Sequence, residues 1–175
     1  YFKRHDGQAV TCDDFRHAMA DANGRDLAQF ERWYSQAGTP RVSVRTAYDA
    51  ATQRYSITLA QSYGDAAPAA RETQTGPLLI PFAIGLIGRD GKDIALRLDG
   101  ERSETGETGT TRVIELTEPE QTFTFVDIKE APLPSLLRNF SAPVIVEYDY
   151  TNDELAFLLA HDSDPFNRWE AGQRL

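Results

Sequence analysis

The sequence predicts a mainly β protein, an immunoglobulin- or fibronectin-like β-sandwich of about seven strands flanked by short α-helices at both ends. Between Arg41 and Tyr150, apolar residues recur at every second position in short runs separated by turn signals, which is the period of half-buried strands. On either side the period changes to three or four, the spacing of one helix face. The first change falls in Phe30–Pro40, FERWYSQAGTP, where Gly38 suits a helix C-cap and Pro40 sits where a helix cannot easily continue.

Residues 1–10 read as the frayed end of a helix, stopped at His5-Asp6-Gly7. Thr11 is a good N-cap, and Asp13 and Asp14 follow in the first turn, where carboxylates favour the helix dipole. Cys12, Phe15, Met19 and Ala22 share one face with Ala18 beside them, a narrow apolar stripe that predicts burial against a partner. Asn23-Gly24 ends that helix. Asp26 can cap a second one, whose Leu27, Phe30, Trp33 and Tyr34 make an aromatic seam. Helices below about 12 residues are marginal alone in water, so both need a larger body to pack on.

From Arg41 onward the pattern is strand. Val42, Val44, Thr46 and Tyr48 alternate, a loop follows at Asp49–Gln53, and Tyr55, Ile57 and Leu59 alternate back, predicting a hairpin. Residues 64–77 are polar and rich in Ala, Pro and Thr, and read as a long exposed connection. Leu79–Ile87 is apolar on both faces and is the predicted central strand, although Pro81 demands an edge position or a bulge. Asp90-Gly91 turns into a strand bearing Ile94, Leu96 and Leu98, and 99–110 is a second loop. Arg112–Thr117, a turn at Glu118-Pro119, and Thr122–Val126 with Phe123 and Phe125 on one face predict a second hairpin. Ala131–Leu137, APLPSLL, reads as a Pro-stiffened crossover, and Val144, Val146, Tyr148 and Tyr150 form the last strand.

Long connections between such strands favour a sandwich over the runner-up, a barrel, and the lack of a Cys–Trp–Cys pattern excludes an antibody-type domain. After Tyr150, Asn152 can cap a helix with Leu155, Leu158 and Leu159 on one face. Asp164-Pro165 then starts another helix, with Phe166 and Trp169 inward.

A length of 175 residues with 41% hydrophobic and 26% charged content is enough for one good core. The net charge of -9 divides as -1, -5 and -3 over residues 1–40, 41–150 and 151–175, so no segment carries the basic face that nucleic acid or an anionic membrane would attract. No apolar run approaches the ~18 residues of a membrane helix, and YFKRHDGQ has no signal-peptide core. Cys12 alone cannot form an internal disulfide, which fits a reducing, cytoplasmic setting. Tyr1 is not a natural start residue and a helical pattern is still running at Leu175, so the chain reads as a piece of something larger.

The search for chemistry assigns no catalytic, cofactor-binding or metal-ligating residue. A zinc protease needs H-E-x-x-H, and none of His5, His17 or His161 is followed by Glu. His161, Asp162 and Asp164 could lend ligands, but a helix-end histidine followed by an N-cap aspartate explains them more plainly. Cys12 sits near a helix N-terminus, which favours a thiolate, yet Asp13 and Asp14 oppose it, and its place on the apolar stripe predicts a buried structural thiol. Asp13/Asp14 and Glu118/Glu120 fall at a helix start and a turn, as caps and solvated faces. Trp33, Tyr34 and Trp169 have the spacing of core or interdomain packing rather than of a stacking platform.

HDGQAVTCDDF, FERWYSQAGTP and the LLRNFSAPV of Leu136–Val144, in that order and at those separations, resemble the bacterial aminopeptidase N (alanyl aminopeptidase) group of the zinc metallo-aminopeptidase family, and the resemblance runs end to end. It implies that residues 1–38 are the last helices of a catalytic domain, 39–150 a β-sandwich spacer domain, and 151–175 the first helices of a C-terminal α-helical domain. In that family a zinc held by H-E-x-x-H and a second Glu polarises the scissile carbonyl and activates water, releasing N-terminal residues from peptides. None of those motifs occurs here, so no catalytic residue is carried over. The resemblance implies zinc in the parent enzyme and none bound by this fragment, with the parent's own catalytic and helical domains as partners and peptides as the parent's substrates. A rival reading is a free-standing sandwich that binds a protein or sugar, which predicts an exposed aromatic patch on a sandwich face.

Overall fold

In the computed structural model, residues 1–63, 76–101 and 109–175 are described. Most of the two predicted loops at 64–77 and 99–110 lies outside them. β1 (Arg41–Asp49) and β2 (Arg54–Ser62) form the hairpin that their alternation requires, in register from Arg41 opposite Ser62 to Asp49 opposite Arg54. Its turn is set by Asp49, whose Oδ1 accepts from the Ala51 amide at 2.9 Å. β5 (Glu120–Phe125) pairs antiparallel with β2, and β7 (Ile145–Glu147) lies parallel to β1, giving a four-stranded sheet in the order β5-β2-β1-β7. The second sheet has the order β4-β3-β6, from β4 (Thr111–Leu116), β3 (Ile80–Ile87) and β6 (Leu133–Leu136). Among the described residues, seven strands in two sheets, with short helices at both ends, make the predicted mainly β sandwich.

Between the sheets lies one apolar core, with Val42, Ile57, Leu59, Phe82, Ile84, Leu116 and Phe125 among its members. β3 is buried on both faces for a specific reason. Ile80, Phe82, Ile84 and Leu86 point into the core, while Ile87 on the opposite face packs with Leu155, Leu158 and Ala171 of the C-terminal helices. Pro81 is tolerated because β3 is paired there on one side only: β4 covers Ile80–Gly85, and β6 begins opposite Ile84.

Three strand assignments differ from the sequence reading. Residues 94–98 alternate but form no strand; Ile94 donates to Leu86 of one sheet and Leu98 bridges to Phe125 of the other, so the segment crosses between sheets. The seventh strand is instead β6, inside the predicted crossover. Pro134 fits there because β6 is an edge strand. β4 and β5 are not a hairpin either. Each pairs with a different sheet, and the turn at Glu118-Pro119 carries the chain across.

The N-terminal segment holds α1 (Phe2–His5), α2 (Cys12–Asn23), a 3₁₀ turn at Gln29–Glu31 and α3 (Arg32–Ser35). Thr11 and Asp14 cap α2 reciprocally, the Asp14 carboxylate accepting from the Thr11 amide at 2.8 Å, and Gly24 ends it at a left-handed φ of 59°. The predicted stripe does not bury: Cys12 and Phe15 are exposed, and α2 turns Arg16 and Ala18 inward. The Arg16 guanidinium has better anchors, the Glu31 carboxylate at 3.0 Å and the Leu27 carbonyl at 3.4 Å. Gly38 is not the helix C-cap. α3 ends at Ser35 with an extended Gln36, and Gly38 lies three residues further on at φ 104°. This segment docks on one end of the second sheet, where Gln29 donates to the Thr117 carbonyl at 2.7 Å and Trp33 to the Leu79 carbonyl at 2.8 Å.

At the other end stand α4 (Asn152–His161) and α5 (Pro165–Arg174). Thr151, one residue before the predicted cap, is the N-cap of α4 and forms a capping box with Glu154. Asp164 caps α5 as expected, with Pro165 in its first turn. Leu155 and Leu158 bury, but Leu159 and Trp169 face outward and Phe166 is half-buried; the inward positions of α5 belong to Asn167 and Ala171. A polar residue takes the inward face because the surface it meets offers hydrogen bonds.

Candidate functional site

The residues singled out from sequence do not converge. His5 leans on Tyr1, His17 lies 3.2 Å from an Arg16 guanidinium nitrogen, and His161 stacks on Phe157, each on a different helix. Among the described residues no group of three or more His, Cys, Asp or Glu could hold a metal ion, so the side chains present do not fit a zinc site. Asp14 serves α2 as a cap, and hydrogen bonds from Thr11 hold its pKa below the usual carboxylate value. Glu120 pairs with Arg45 at 2.8 Å on the surface. Cys12 is exposed, which corrects the buried thiol expected for it. Trp33 packs against the core, whereas Tyr34 and Trp169 do not.

The densest polar site was not singled out from the sequence. It centres on Arg138, whose side chain is 2% exposed. The turn that carries it has three non-glycine residues in the left-handed region, Leu137 at φ 55°, Asn139 at φ 55° and Phe140 at φ 48°. They swing the guanidinium inward over the backbone of Gly85 in β3, where no side chain stands in its way. Nε donates to Ser135 Oγ at 2.8 Å, and both terminal nitrogens reach Asp93, at 2.7 and 3.1 Å. Nη1 also donates to Thr111 Oγ1 at 2.9 Å, and Nη2 to Asp162 Oδ1 at 3.3 Å. A planar fork can meet a carboxylate in this two-pronged way, and a lysine could not.

The two carboxylates in this site are driven in opposite directions. For Asp93, burial works against the charge, but hydrogen bonds from Arg138 and Ser163 outweigh it and leave the pKa below its ordinary value. For Asp162, burial wins over the help from Ser135, the Asp164 amide and Arg138, and its pKa is raised; its Oδ2 has no hydrogen-bond partner. A group whose folded pKa is raised costs the folded state more as pH climbs through the interval between its unfolded and folded values. Asp162→Asn, which cannot ionise, is therefore expected to gain stability relative to the unsubstituted chain as pH rises above about 4, the unfolded value. Urea midpoints across that range test it, and a difference that stays flat with pH would count against the raised pKa.

Beside this site runs an apolar cavity of roughly 260 Å³, lined by Leu137, Val144, Tyr150, Leu155, Phe166 and Ala171 among others. The arrangement combines a packed polar junction with an apolar recess.

Comparison with known proteins gives the family. The model of the domain of unknown function DUF3458, described as having an Ig-like fold, matches residues 38–149. The chain belongs to this family. The companion model DUF3458_C, described as ARM repeats, matches residues 152–175. Over all 175 residues the chain is 45% identical to Aminopeptidase N of Escherichia coli (strain K12), 40% to that of Haemophilus influenzae and 42% to that of Caulobacter vibrioides. It spans 19%, 19% and 18% of the length of those curated relatives. The crystal structure of Legionella pneumophila aminopeptidase A in complex with aspartic acid superposes with a TM-score of 0.80 at 29% identity, over 99% of this chain and 17% of that one. The resemblance read from the three sequence strings is thus borne out, and so is the Ig-like fold of the DUF3458 segment.

Proposed function

We propose that the chain is the interdomain segment of a zinc-dependent aminopeptidase that removes N-terminal residues from peptides in the cytoplasm. In this reading 1–38 closes the catalytic domain, 39–150 is a spacer sandwich, and 151–175 opens the helical domain. The observation that carries it is identity of 40–45% to Aminopeptidase N proteins across the whole chain. The apolar side chains left exposed on the end segments, Phe15 on α2 and Leu159 and Trp169 on α4 and α5, support it, because such faces call for neighbouring bodies. The free-standing binding module lacks its support: among the described residues the large apolar side chains exposed on strands are Val113 and Ile145, neither aromatic.

The chain's role in this reading is to hold two bodies in register, with the catalytic zinc and its ligands supplied by residues outside it. Purified alone, it should bind zinc substoichiometrically in elemental analysis and release no anilide from an alanyl-anilide substrate. Stoichiometric zinc together with hydrolysis would overturn the spacer reading. Sequencing the source reading frame tests the parentage separately, since an in-frame H-E-x-x-H with a downstream Glu is required upstream of Tyr1.

A further inference from the structure

The two family models divide the chain between residues 149 and 152, but the side chains bind straight across that division. From the sandwich side come Asp93 in the crossing segment, Thr111 of β4, Ser135 of β6 and Arg138 of the left-handed turn. From the helical side come Asp162, Ser163 and Asp164 in the link between α4 and α5, and Asn167 on α5. Arg138 bonds to both groups, with Asp93 on one side and Asp162 on the other. Ser163 Oγ donates to Asp93 Oδ2 at 2.5 Å, and Asn167 Nδ2 donates to Ser135 Oγ and to the Leu136 carbonyl, each at 2.9 Å. The N-cap carboxylate of α5 has two duties, since Asp164 accepts from Asn167 of its own helix at 2.9 Å and from the Asn139 amide of the turn at 2.7 Å.

The junction also has an apolar part: Ile87 of β3, with Leu133 and Tyr150 beside it, meets Leu155, Leu158 and Ala171, and Phe140 packs on Phe166. The turn itself is strained at Leu137 and Phe140, whose left-handed conformations such residues avoid unless their surroundings fix them; Asn139 is left-handed too, as asparagine more readily is. Those surroundings are the Arg138 contacts and the Asp164 carboxylate. Remove them and the turn has reason to relax, carrying away the donor that holds the α4–α5 link.

We propose that the Arg138–Asp93–Asp162 cluster, with Asn167 and Asp164, is a clasp that makes the sandwich and the α4–α5 pair one cooperative unit, so that the helices do not open while the sandwich stays folded. The clasp transmits orientation: any body attached to the helices moves with the sandwich. This rests on the chain's own contacts and stands whether or not the aminopeptidase reading holds.

Amide hydrogen exchange on the whole chain tests it. Without substitution, the most protected amides of α4 and α5 should open with the same equilibrium constant as those of β2 and β3. In Arg138→Met, which keeps the stem and removes the fork, the protection of α4 and α5 and that of β2 and β3 should fall together, on the order of 100-fold. Asn167→Ala touches the clasp only from the helical side, and should lower protection about tenfold in β2 as well as in α4 and α5, because one opening exposes both. Helices that already exchange faster than the sandwich in the unsubstituted chain would overturn the proposal. So would a fall confined to α4 and α5 in either variant, or no fall in Asn167→Ala. Should Arg138→Met fail to fold, Asn167→Ala decides alone.

Discussion

Gly85→Ala is expected to cost about 3–5 kcal/mol of folding free energy, the loss associated with breaking a buried ion pair. The backbone at Gly85 would accept a side chain, since this glycine is not among those with positive φ. The cost is steric and electrostatic. A Cβ built there would stand 2.0 Å from the Arg138 Cζ and 2.3 Å from Nε and Nη1. A guanidinium at the end of a flexible chain could normally swing aside at little cost. Here it is buried and bonded to Ser135, Asp93, Thr111 and Asp162, so moving it leaves two carboxylates without their counter-charge. Gly172→Ala in α5 is the control, because its Cβ would meet only Leu159 at 3.4 Å and Ala is the better helix former. Urea unfolding of both variants checks the contrast. A Gly85→Ala loss no larger than about 1 kcal/mol, the size of one ordinary hydrogen bond, would mean the guanidinium has room to move.

Phe82→Ala should cost a similar amount, about 3–5 kcal/mol, for a different reason. Phe82 is fully buried on the core face of β3 and sits in the apolar cluster that joins the two sheets. β3 is paired on both sides farther along, with β4 over Ile80–Gly85 and β6 over Ile84–Ile87, so the backbone cannot collapse into the space that the ring vacates. For a chain of this size the loss corresponds to a fall in melting temperature of roughly 6–20 °C. Val113→Thr on the neighbouring β4 should change stability by less than about 0.5 kcal/mol, because Val113 is 55% exposed. Calorimetry on the two variants would read the difference, and near-equal melting temperatures would place the core elsewhere.

Both effects depend on β3, and β3 was legible in the sequence as the run that is apolar on both faces. What covers its outer face was not. The periodicity of Leu79–Ile87 says that two surfaces meet it, and only the structure supplies the helices and Arg138. Arg138 lies inside LLRNFSAPV, a string with no helix or strand period, and its main partners are 45 and 24 residues away. Asp162 and Asp164 were considered as ligands or caps, and Asp164 is a cap, but a cap that also reaches the Asn139 amide cannot be read from spacing.

By itself the sequence determined the local choices: the β1–β2 hairpin, the caps at Thr11 and Asp164, the turn at Asp49–Gln53, and the changes of period that bound the sandwich. Those depend on residues within a few positions of one another, where alternation, capping geometry and turn chemistry act directly. Tertiary structure decided which strands pair. β4 and β5 alternate as a hairpin would, yet they join different sheets; 94–98 alternates and forms no strand, while the Pro-containing Leu133–Leu136 does. Alternation specifies that a segment has one buried face and is silent about its neighbour, because pairing is settled by which sheet still has an open edge and which segment can reach it. The same holds for the buried arginine, whose place is stable only where distant carboxylates, a glycine and a helix cap arrive together.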